Sequence, residues 1–137
     1  MTTLHAYLSY RDAPTALDWL ARAFGFETTM RYDADNGTVA HAEARLDDVA
    51  IIVFSDDGAG YDRPAPRDEA VGQGMYLAVA AESDVDAAWE RALAADATPV
   101  WKPEGTEWGN YRCRVRDPEG YEWTFGTHKP GEPAGDW

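Results

Sequence analysis

The amino-acid pattern predicts an α+β fold built from one βαβββ module used twice. Three observations carry this. A strand–helix–strand–strand–strand pattern fits residues 3–55 and fits again over 73–128. The two stretches share local text: Tyr7-Leu8 returns as Tyr76-Leu77, and the helical Ala16-Leu17-Asp18-Trp19-Leu20-Ala21-Arg22-Ala23 is echoed by Asp86-Ala87-Ala88-Trp89-Glu90-Arg91-Ala92. Between them, residues 56–72 mix glycine, proline and acids, which forbids regular structure and marks a linker. A repeat of about seventy residues is too long for a solenoid.

Each element has its own signal. Over 3–10, Leu4, Ala6, Leu8 and Tyr10 alternate with His5, Tyr7 and Ser9, as in a strand with two unlike faces. Asp12 then caps a helix that has Pro14 in its first turn. Ala16, Leu17, Leu20, Ala23 and Phe24 share one side of it, with Trp19 near the edge, and Gly25 ends it. Residues 26–33 and 38–46 form a hairpin across Asn36-Gly37, and 49–55 is apolar enough to be a central strand. In the second module 73–81 is the strand. Ser83 or Asp84 caps a helix over 85–95, and 98–102 is a short strand closed by a turn at Pro103-Glu104-Gly105.

The last hairpin has the strongest text. Tyr111, Cys113 and Val115 alternate with Arg112, Arg114 and Arg116; Tyr121, Trp123 and Phe125 alternate with Glu122, Thr124 and Gly126. Asp117-Pro118-Glu119-Gly120 joins them, with Asp to bond its own backbone, Pro to fix φ and Gly to accept φ > 0. A strand–DPxG–strand hairpin led by Trp108-Gly109 closely resembles the last hairpin of the glyoxalase/bleomycin-resistance (vicinal oxygen chelate) superfamily. With the paired modules, the resemblance covers nearly the whole chain. It implies a single domain over 1–137: module one at about 3–55, linker 56–72, module two at about 73–128 and a tail at 129–137. It also implies a cupped mixed sheet that is completed, or swapped, in a homodimer.

The resemblance further implies metal ligands at set strand positions facing the cup: a His or Gln early in a module's first strand and a Glu near the end of its last. His5 occupies the first of these. Alternation puts Tyr76 at its counterpart, and the glutamate position falls on Thr124, with Glu122 two residues away on the same face. One histidine is too few for a divalent ion, which wants at least three N, O or S ligands. His41 and His128 fall at no family ligand position. No metal, no cofactor and no catalytic residue is therefore expected, and His5 is read as an ordinary polar residue lining the cup. Cys113 is the only cysteine, so no intramolecular disulfide forms, and its apolar neighbours make it a buried, inert thiol. Motifs for serine hydrolases, P-loops and zincins are missing.

Composition narrows the partners. With 25 acids against 12 basic residues the net charge is −13. Nucleic acid and anionic membranes would be repelled, and a cationic ligand favoured. The first twelve residues carry neither a basic nor a long apolar stretch, so no secretion signal is expected, and a cytoplasmic location fits. What remains in the cup is flat rings. Tyr7 and Tyr76 sit at equivalent points of the modules, and Trp101 and Trp108 bracket the loop before the hairpin, whereas Trp19, Trp89 and Trp123 belong to the core. The expected ligand-binding set is His5, Tyr7, Tyr76, Trp101, Trp108, Arg112, Arg114, Glu122 and Thr124. The expected function resembles that of the metal-free antibiotic-binding resistance proteins: sequestration of a bulky aromatic natural product. The competing expectation is a metal-dependent lyase, isomerase or dioxygenase using His5 and Glu122.

Overall fold

A computed structural model describes residues 1–56 and 72–132 of the chain. The expected linker falls almost wholly outside these residues, as does the end of the tail. The chain divides into two compact units, Met1–Ala65 and Pro66–Trp137. The first holds β1 (Tyr7–Tyr10), α1 (Ala13–Phe24), β2 (Glu27–Asp33), β3 (Val39–Leu46) and β4 (Val49–Ser55). The second holds β5 (Gly74–Ala78), α2 (Glu82–Ala94), β6 (Thr98–Gly105), β7 (Tyr111–Arg116) and β8 (Glu122–Gly126). The fold is thus two helices and two four-stranded mixed sheets, ordered β1-β4-β3-β2 and β5-β8-β7-β6. In each, the first strand runs parallel to the last and the other pairs are antiparallel.

In the first unit α1 forms as its sequence dictates. Asp12 Oδ1 accepts the Thr15 N–H at 3.2 Å, which satisfies one of the helix's free amide donors. Gly25 at φ 88° closes it. Its inner side buries Leu17, Trp19, Leu20 and Phe24, and the facing sheet contributes Leu8, Tyr10, Ala42, Ala44, Ile51 and Val53. Trp19, at the edge of the helix's apolar side by spacing, lies in the core as expected.

In the second unit the sheet buries Leu77, Cys113, Val115, Trp123 and Phe125, and α2 supplies Val85 and Ala92. The hairpin turn is itself part of this core. Asp117 is 3 % exposed. Its Oδ1 accepts the N–H groups of Glu119 (3.0 Å) and Tyr121 (3.1 Å), and its Oδ2 accepts the Trp123 indole N–H at 3.1 Å. One carboxylate therefore sets both the turn and the deepest side chain of the unit.

Three expectations need correction. The cap of α2 is Ala81; Asp84 acts from inside the first turn, where its Oδ2 accepts the Ala81 N–H at 3.0 Å. β6 is eight residues long and runs through Pro103-Glu104-Gly105. Among the described residues it pairs with β7 only, so a residue without an N–H is tolerated, and register shifts between Pro99 and Trp101 and between Trp101 and Glu104 absorb the irregularity. β1 begins at Tyr7, which leaves His5 ahead of the strand.

Candidate functional site: the open face of the second sheet

Register partners share a face of a sheet. In the second unit the residues that alternate with the buried set form three rows on the face turned away from α2. These are Gly74–Glu122–Arg116–Thr98, then Tyr76–Thr124–Arg114–Trp101, then Ala78–Gly126–Arg112–Glu104. The three arginines, placed by simple alternation with Tyr111, Cys113 and Val115, all lie here.

Their neighbours differ. Glu122 sits between two of them, its carboxylate 3.6 Å from Arg114 Nη1 and 3.4 Å from Arg116 Nε. Arg114 Nε also donates to Thr124 Oγ1 at 2.8 Å. Trp101 packs against two of them: the guanidinium carbons of Arg112 and Arg114 stand 4.1 and 3.7 Å from the centre of its ring. The electron-rich ring face attracts both cations. Next to this row a hollow of about 280 Å³ opens, bounded by Gly74, Tyr76, Arg114, Glu122 and Thr124 among others.

Tyr76 closes one end. Its hydroxyl donates to the His128 carbonyl at 2.7 Å, and Asn110 Oδ1 accepts the His128 N–H at 3.0 Å. This is permitted by Gly126, where a Cβ would collide with the Tyr76 hydroxyl and approach Asn110 Oδ1 to 2.7 Å. Burial raises the Tyr76 pKa, so the phenol stays protonated. Trp108, in the loop before β7, meets the His128 ring edge-on at 5.6 Å.

The first unit's open face is different in kind. Tyr7, Ile52, Glu43 and Met30 form one row, beside Phe54, His41 and Tyr32. Tyr7 leans on Phe54 with ring centres 4.6 Å apart, and His41 Nε2 meets Glu43 Oε2 at 2.7 Å. His5 is tied down: Nδ1 donates to the Ala50 carbonyl at 2.8 Å, so Nε2 accepts the Thr3 hydroxyl at 2.7 Å.

A family model for the Glyoxalase/Bleomycin resistance protein/Dioxygenase superfamily matches residues 2–125. The chain belongs to this superfamily. Within it, the chain is 30 % identical to the crystal structure of TioX from Micromonospora sp. ML1, covering 93 % of this chain and 100 % of that one with a TM-score of 0.67. An uncharacterized protein of Mycobacterium tuberculosis is 28 % identical over 123 residues, which is 90 % of this chain and 72 % of its own length. The fold is shared at 13 % identity and a TM-score of 0.68 by the fosfomycin resistance protein FosX from Listeria monocytogenes, crystallised with Mn(II) and sulfate; the match covers 94 % of this chain and 93 % of that one.

The metal positions implied by the superfamily resemblance are filled by groups already engaged. Both His5 nitrogens are bonded, Tyr76 is a protonated phenol, Thr124 accepts from Arg114, and Glu122 faces two guanidiniums. No three His, Cys, Asp or Glu side chains gather among the described residues. This donor set does not fit a divalent cation. Cys113 offers no nucleophile at neutral pH: it is buried against α2, and desolvation pushes its pKa up to about 11.

Six of the nine expected ligand-binding residues thus lie on one face: Tyr76, Trp101, Arg112, Arg114, Glu122 and Thr124. Trp108 stands at that unit's end, while His5 and Tyr7 belong to the first unit. The sequence reading passed over the His41–Glu43 pair as a site, although the spacing of two on one strand signals it. It also passed over Asn110 and Gly126, whose roles depend on contacts made far along the chain.

Proposed function

We propose that the chain binds a flat aromatic small molecule without breaking a bond in it, and protects its host by holding an antibiotic away from its target. The observation that carries this is the set of exposed rings on or beside the two open faces: Tyr7, Tyr32, Tyr76, Trp101 and Trp108 are 49, 66, 37, 39 and 46 % exposed. Rings left in water invite a planar partner. Stacking, together with guanidiniums already held against Trp101, suits recognition. Membership of a superfamily whose name includes bleomycin resistance agrees with it. Protection is then mass action, set by copy number and Kd.

The competing function is metal-dependent chemistry at His5 and Glu122. Host survival under the antibiotic separates the two. A binder keeps protecting in a strong chelator, and His5→Ala, which removes two hydrogen bonds at an exposed site, weakens binding at most about tenfold. Protection abolished by chelator and by His5→Ala alike would establish the enzyme instead.

A further inference from the structure

We infer that the ligand carries an anionic oxygen group, a carboxylate or its chemical equivalent, and that Arg112 receives it. The inference rests on the binding function proposed above and narrows its ligand class. The open face of the second sheet holds three arginines, and Glu122 is the acid that pairs with them: it lies within ion-pair distance of Arg114 and Arg116. Arg112 has no hydrogen bond or ion pair from its guanidinium among the described residues. Its register partner on β6, Glu104, makes no ion pair with it, and its partner on β8 is Gly126, which has no side chain to offer.

The missing partner is costly because Arg112 Nη1 is buried and bonded to nothing. A cationic N–H taken from water without an acceptor is among the more unfavourable arrangements in a folded protein. Such a donor persists where something outside the chain completes it. Trp101, whose ring centre lies 4.1 Å from the guanidinium carbon, attracts the charge but offers its N–H groups no oxygen acceptor. The edge of a guanidinium matches two oxygens of one anion. A planar acid could lay its ring along the tyrosine and tryptophan surface while its oxygens meet Arg112. The net charge of −13 does not oppose this at contact range. Diffuse repulsion is screened beyond about 8 Å at physiological salt, whereas a paired contact is made at about 3 Å.

The test uses three matched probes in isothermal titration of the full-length protein: 2-naphthoate, 2-naphthamide and 2-naphthylmethylammonium. Naphthoate is expected to bind about tenfold more tightly than the neutral amide, and the ammonium probe most weakly. R112Q should bring naphthoate down to the level of the amide, and R112K should recover part of the preference, since it restores charge without the planar fork. In the unaltered protein, naphthoate and not naphthamide should shift the Arg112 Nε–Hε resonance, which keeps the test independent of how the variants fold. Naphthoate binding no tighter than naphthamide, or a preference that survives R112Q, overturns the inference. The ammonium probe binding best also overturns it, while leaving aromatic binding in place. No binding by any of the three at millimolar concentration removes both the inference and the proposed function.

Discussion

The two βαβββ units follow one path with different means of support. In the first, the helix carries the core: seven of its residues are buried, an aspartate caps its start and a left-handed glycine ends it. In the second, α2 buries Val85 and Ala92, its N-cap is an alanine, and the left-handed residue after its C-cap is Asp96 at φ 64° where the first helix uses a glycine. There the hairpin takes over, through buried Asp117 and a Trp123 with no exposed surface. The open faces diverge in parallel, tyrosines with a His–Glu pair on one and arginines around a tryptophan on the other. A duplicated topology constrains which residues are inward. It leaves each copy free to choose the element that anchors it and the chemistry it displays.

The helix tryptophans offer the largest test of this contrast. Trp19 is 3 % exposed and its ring meets Phe24 edge-on at 5.2 Å, whereas Trp89, its echo, is half-buried. Trp19→Ala should cost about 4 kcal/mol in urea unfolding and Trp89→Ala about 1 kcal/mol. Equal losses would mean that α2 anchors its unit as α1 does. Next comes Asp117→Asn, which keeps the size but turns an acceptor-only group into one with donors facing three N–H groups. About 2–3 kcal/mol should be lost. Hydrogen exchange should rise first in β7 and β8, and uniform loosening of both units would contradict a hairpin anchor.

The smallest expected effect is alkaline. Desolvation raises the Cys113 pKa from 9.0 to about 11, so the folded chain holds that proton after the unfolded chain has released it. The stabilisation is complete below pH 9 and declines between 9 and 11. The urea midpoint should fall across that window, and Cys113→Ala should flatten part of the fall. A midpoint unaffected by the substitution would show that the thiol gains solvent in the folded protein.

Much of the fold was legible because local chemistry and global pairing agree. Asp12, Gly25 and the Asp117–Gly120 turn do what their residue types dictate, and alternation placed all three arginines on the correct face. Pro103 misled, since a turn-former in an edge strand reads as a turn until the pairing is known. Ser83 and Asp84 both looked like caps because both are cap-forming residue types, and it is Asp84 that accepts a free amide, from Ala81. The site was legible as a set of residues and not as a network. That Glu122 serves two arginines while Arg112 goes without depends on register. The stacking of Trp101 on Arg112 and Arg114 depends on irregularities in β6 that no short pattern encodes.

The prolines of β6 have one more consequence. A strand with a partner on one side only is a template for a further strand, and thus for uncontrolled self-association. Pro99 and Pro103 remove two donors from its eight residues, and the register shifts bend what is left. An incoming chain would find a broken ladder. If the chain acts by stoichiometric capture, as proposed, it must accumulate to match its ligand mole for mole, at concentrations where sticky edges precipitate. The residues that disguise β6 in the sequence are the ones that suit it to being made in quantity.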